Sequence, residues 1–219
     1  MSIYHIHYEL LPVDHPYNRC DIRQLRAPLD QETYVMQLLP HTMWGTLYLE
    51  VNGRMLFQRH WQYRQKAPFD RLPLSGFTCE LLEFAQVLGS NLDDILSGQR
   101  GPRPVEFIGY DVQLWFRRYG PAVQLFFDER PVFSQVFTWQ PIPLTVFVAE
   151  TCGFLSALWQ DVTRLNPALA TDVLIQEQLT AAERIRERFA QGEFSQEVYI
   201  EDVLPATART SRRSYSEPK

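Results

Sequence analysis

The sequence is poor in the residues that mark the most easily read chemistries. It has 3 cysteines among 219 residues, Cys20, Cys79 and Cys152. The number is odd, the spacings are wide and no Cys-x-x-Cys occurs, which argues against a disulfide framework and a zinc knuckle alike. Histidine numbers 5. His5-Ile6-His7 sets two imidazoles on one face of a strand, half of a metal site. His15, His41 and His60 are scattered and complete no ligand motif, so no metal site is expected. Glycine-rich phosphate loops are missing too. Gly98-Gln99-Arg100-Gly101 has neither the following Lys-Ser/Thr nor a preceding strand, and no cofactor is expected. Gly153-Phe154-Leu155-Ser156 lacks the second glycine of a nucleophile elbow. Asp93-Asp94 and Asp128-Glu129 are adjacent acids that diverge on a helix or face solvent in a turn, which leaves no acid–base pair. No catalytic residue emerges.

Long apolar runs are also lacking. The longest apolar region, 144–158, is interrupted by Thr145, Glu150, Thr151 and Ser156, too polar for a membrane span. Met1 to His7 carries no basic run and no apolar stretch of signal-peptide type. The expectation is a soluble, cytoplasmic protein that does not engage a membrane. Positive charge is short as well: 21 Lys and Arg face 26 Asp and Glu, for a net charge of −5. That balance argues against nucleic acid as a partner and suits a basic one.

What the chain does have is 45% hydrophobic and 13% aromatic residues, enough for one well-filled core. Residues 1–205 read as a single α+β domain and 206–219, rich in Ser, Thr and Arg, as a disordered tail. Ile3 to Leu11 alternates as a strand, residues 12–28 form a loop, and Tyr34 to Leu39 reads as a second short strand. Thr46 to Val51, then Asn52-Gly53, then Arg54 to Gln58 predicts a hairpin, since both turn residues tolerate positive φ. A helix is expected from about Thr78, taking in Cys79, with a break near Gly89-Ser90-Asn91. Val105–Tyr110, Val112–Arg118, Ala122–Phe127 and Val132–Trp139 read as an antiparallel meander. A long helix follows from about Leu144, with Val148, Cys152, Leu155, Trp159 and Val162 on one stripe. Asn166-Pro167 separates it from a last helix, which Gly192 ends. The fold class is therefore α+β: antiparallel sheets of hairpins packed with two to four helices.

Two segments, 44–98 and 112–166, share a pattern. Leu47 to Phe57 lines up with Val123 to Phe133, matching Leu49 with Leu125 and Arg54 with Arg130. The helices line up in another frame, with Pro73 against Pro143 and Phe77 against Phe147. The expectation is two related hairpin-plus-helix units that pack on each other.

With no catalytic set, the leading functional expectation is a non-enzymatic protein-binding module. Interfaces favour Trp, Tyr and Arg anchors. Trp44, Trp61, Tyr63, Trp115, Arg117, Arg118 and Tyr119 lie near strand ends or turns and are the candidate binding residues. In acidity and in its mix of hairpins and helices the chain resembles the immunity proteins of bacterial toxin systems, which cap a toxin's active site. That resemblance covers general features, no motif carries it, and it implies an inhibitor. One alternative is an enzyme whose site is assembled from His5, His7, His60, Asp111 and Glu150. Another is an oligomeric structural component, self-associating through C-terminal helices or an open sheet edge.

Overall fold

A computed structural model describes residues 3–56, 76–98, 103–106, 112–129, 133–138, 141–196 and 198. It has two antiparallel sheets and a set of helices. Phe57 and Gln58 of the expected hairpin strand, the ends of several other expected strands and the tail lie outside the described residues.

The first sheet is built on β2 (Trp44–Val51). β1 (Tyr4–Leu10) runs antiparallel along all of it, from Tyr4 opposite Val51 to Leu10 opposite Gly45. The other edge of β2 is shared. β3 (Arg54–Met55) takes Glu50 and Val51, and β4 (Phe77–Glu80) takes Trp44 to Leu47. The turn between β2 and β3 has Asn52 at φ 53° and Gly53 at φ 75°, as the sequence predicts. Gly45 answers to a close approach: a Cβ there would sit 2.6 Å from the Glu9 carbonyl oxygen and collide with Leu81.

The second sheet follows the order β5 (Arg103–Glu106), β6 (Val112–Tyr119), β7 (Ala122–Glu129), β8 (Phe133–Thr138). β9 (Ile142–Pro143) joins it on β7 at Ala122 and Val123. In each sheet a central strand, β2 or β7, carries one long strand along one edge and two further strands on the other, with a helix following the last of them; the second sheet adds β5 beyond β6. Thr78 stands opposite Thr46, and Pro143 opposite Ala122.

The helices correct three further expectations. Tyr34 to Leu39 is helical, not extended. Asp30 caps α1 (Gln31–Thr33), its side chain accepting from the Thr33 N–H at 2.6 Å. A π-helix (Tyr34–Leu38) and α2 (Leu39–His41) continue the same run. Pro40 has no N–H for the carbonyl of Met36, and the turn before it widens so that Leu39 N–H reaches Tyr34 instead. The helix after the first sheet, α3 (Leu81–Ser97), begins later than Thr78 because 77–80 are held in the sheet, with Cys79 opposite Gly45. It runs unbroken through Gly89, since Leu88, Leu92, Ile95 and Leu96 all pack inward.

α4 (Leu144–Leu165) is the centre of the molecule. Phe147 contacts Tyr4 of the first sheet and Phe116 of the second, both at 5.6 Å between ring centres. Phe154 meets Tyr8 and Phe84, and Trp159 stacks on Tyr34 at 6.4 Å. Both sheets and three helix surfaces therefore share one core. A 3-10 turn (Pro167–Thr171), capped by Asn166, leads to α5 (Val173–Ala190), which lies along α4. Among the described residues, no helix is long and apolar enough to cross a membrane.

Candidate binding surface

Strand alternation divides the candidate residues of β6. Leu114, Phe116 and Arg118 point into the core, so Trp115, Arg117 and Tyr119 share the opposite face. There Tyr119 is exposed, the Arg117 guanidinium lies 5.8 Å from the centre of its ring, and Arg117 donates to Gln124 of β7. Trp115 is half-buried and Arg117 is buried.

Arg118 is not a surface anchor, which corrects the sequence expectation. Its guanidinium donates to the carbonyls of Gly120 (2.5 Å), Leu96 (2.8 Å), Phe194 (3.0 Å) and Gln196 (3.4 Å). It fastens the segment after α5 to the end of α3 and to the β6–β7 turn, where Gly120 also pairs with Val198. The signal was in the sequence: Leu114, Phe116 and Arg118 have the two-residue spacing of a single buried face.

Trp44 opens the other sheet. It is half-buried against Tyr17 at 4.9 Å, and its indole N–H donates to the Pro40 carbonyl at 3.3 Å. Its role there is to hold the 12–28 loop, aided by Asn18, which accepts from the Trp44 backbone N–H. Trp61 and Tyr63, with His60 and Asp111, lie outside the described residues.

The structure offers a surface that sequence reading missed. Met36 is 62% exposed and Val173 70%, with Val35 also exposed. Val35 and Met36 sit on the π-helical turn, and Val173 opens α5. The Asp172 carboxylate caps α5 by accepting from Leu174 and Ile175, and its second oxygen accepts from the N–H of Leu29, in the loop before α1, at 2.6 Å. On the inner side of the π turn, Tyr34 donates to Gln86 and stacks on Trp159. Glu32 of α1 and Glu177 of α5 are exposed as well. Asp30 at a helix cap and Glu32 in the first turn were the available sequence signals.

A third constellation joins distant residues. His5 Nδ1 and Glu150 Oε2 are 2.6 Å apart. The His5 and His7 rings lie 4.9 Å apart, and His7 stacks on Tyr48 at 4.6 Å with 7° between planes. Tyr48 donates to Glu9 at 2.9 Å. Burial and the neighbouring His5 hold the His7 pKa below the usual imidazole value. Glu150 orients an imidazole, the base half of a catalytic pair, and no Ser, Thr or Cys hydroxyl or thiol is bonded to that ring among the described residues. Cys79 and Cys152 are buried, and burial pushes the Cys152 thiol up to about 11, which keeps it protonated and unreactive at neutral pH. A cleft of about 320 Å³ beside Asp93, Asp94 and Glu193 has its charge matched: Arg188 pairs with Asp93 and Glu193, and Arg103 with Asp94. Among the described residues no group of three or more His, Cys, Asp or Glu is arranged to hold a metal ion.

These features define a two-sheet α+β protein with helices at its centre. Compared with known proteins, the chain matches no family model, no curated protein and no solved structure.

Proposed function

We propose that this protein acts by binding another protein, in the manner of an inhibitor, through the apolar surface of Val35, Met36 and Val173. The carrying observation is the exposure of Met36 on the π-helical turn and of Val173 at the start of α5, where Asp172 caps the helix and holds the Leu29 loop. Exposing large apolar side chains on a rigid, capped frame costs solvation, and a partner that covers them recovers it. Methionine adapts to the shape of what it meets. The exposed acids Glu32 of α1 and Glu177 of α5, and the net charge of −5, suit a partner with basic residues beside an apolar anchor.

The test places a photoreactive phenylalanine at position 36 of the full chain in its native cell. The expected result is a crosslink to one basic protein that, once purified, binds with one-to-one stoichiometry. Its affinity should fall about tenfold or more for Met36→Lys. Crosslinks only to a second copy of this chain, or an affinity indifferent to Met36→Lys, would overturn the reading.

A further inference from the structure

We propose that His7 is a proton sensor that makes the seating of β1 depend on pH. The ring is held between two others, His5 on its own strand and Tyr48 on β2, the latter almost parallel to it. Its Nδ1 is buried and has no hydrogen-bond partner among the described residues. A neutral ring can turn a bare lone pair toward such a place at modest cost. A protonated ring carries N–H on both nitrogens, and one of them would be buried without an acceptor.

The neighbouring groups divide the two histidines. His5 faces Glu150 of α4, so a proton on its Nδ1 meets a carboxylate. Within β1 and β2, His7 has Glu9 and Glu50 in its field, which favour a charge, and His5, which opposes it. Glu9 is already the acceptor for Tyr48. Glu50 stands opposite His5 in the register, not opposite His7. Burial outweighs both acids, and the ring stays neutral under conditions where an ordinary imidazole is charged.

The consequence has a definite sign. The folded pKa of His7 lies below its unfolded value near 6.5, so the unfolded or locally opened state takes up the proton first. His7 is neutral and at rest above that value. As the pH falls below it, the state with β1 released gains relative to the closed state. Among the described residues β1 is an edge strand with one ladder, to β2, so its release breaks a single ladder and uncovers Tyr4 and Ile6 from the core. The phenols of Tyr4, Tyr8 and Tyr48, which bond this strand to α4 and β2, stay protonated over this range because burial raises all three. The His5–Glu150 contact is a further titratable bond to α4, and comparison with His7→Phe holds it constant.

The test is amide hydrogen exchange on the full chain between pH 7.5 and 5, corrected for the intrinsic pH dependence of exchange. Protection of 4–10 should fall by about tenfold relative to β7, and His7→Phe, which keeps the stack and cannot titrate, should abolish that fall. An equal fall in His7→Phe, or none in the unaltered protein, would overturn the proposal. If His7→Phe does not fold, the ring resonances of the unaltered protein decide. Titration of His7 below about 6.5 supports the proposal and titration at or above it refutes it.

Discussion

His5 Nδ1 stands 2.6 Å from Glu150 Oε2 across 145 residues of chain, and this contact ties the first strand to the central helix. Two further bonds run beside it, from Tyr4 to Thr151 (3.4 Å) and from Tyr8 to Asp161 (2.8 Å). The strand is thus pinned along its length to α4, and α4 carries it against the second sheet through Phe147.

The His5–Glu150 pair itself should contribute little to stability. The side chains are 46% and 31% exposed, and water screens them. A double-mutant cycle of His5→Gln and Glu150→Gln, read by urea unfolding at pH 6, should give a coupling below about 1 kcal/mol.

Asp172 should matter far more. It is buried, caps α5 and accepts from Leu29 N–H. Asp172→Ala removes a cap worth about 1 kcal/mol and leaves a buried N–H unpaired at about 1–3 kcal/mol more. The expected loss is about 2–4 kcal/mol in denaturant unfolding, with Asp172→Asn retaining part of it. The same variant should weaken partner binding, because the start of α5, where Val173 is exposed, loses its cap and its tie to Leu29.

Arg118→Lys is not a conservative change here. A single ammonium cannot serve carbonyls on both the α3 end and the 194–196 segment, and the planar fork that does so is lost. Unfolding should be easier by at least about 2 kcal/mol. Limited proteolysis should cut within 192–198 before it cuts elsewhere in the described chain.

Glu80 gives the molecule a second pH dependence. Burial pushes its carboxyl up to about 7, with Glu83 adding to the effect. A carboxyl raised in the folded state favours folding when protonated. That contribution is full below the unfolded value near 4.5 and is lost as the pH rises through 7. Glu80→Gln should therefore be more stable than the unaltered protein at pH 8 and nearly equal to it at pH 4.5. Equal stabilities at both pH values would show that the carboxyl is not held in a burying environment.

Much of the fold was legible because it is local. Asn52-Gly53 set its own turn, the meander followed its alternation, and α4 and α5 followed their stripes. Tyr34 to Leu39 reads as a strand because a short apolar run fits either period, and the Asp30 cap and the packing of Tyr34 on α3 and α4 decide for helix. The exposed face of that same run was hidden with it. Of the candidate anchors on β6, alternation alone could have separated Arg118 from Trp115, Arg117 and Tyr119.

By itself the sequence determined which faces are apolar and where the chain turns. Those properties are set by neighbours a few residues apart. The tertiary structure alone decided that β4 and β9 each return to the start of a central strand, that Arg118 becomes an internal tie, and that His5 meets Glu150. Periodicity tells a side chain to leave water but not which distant surface will receive it, and that choice is made only when the whole core closes around α4.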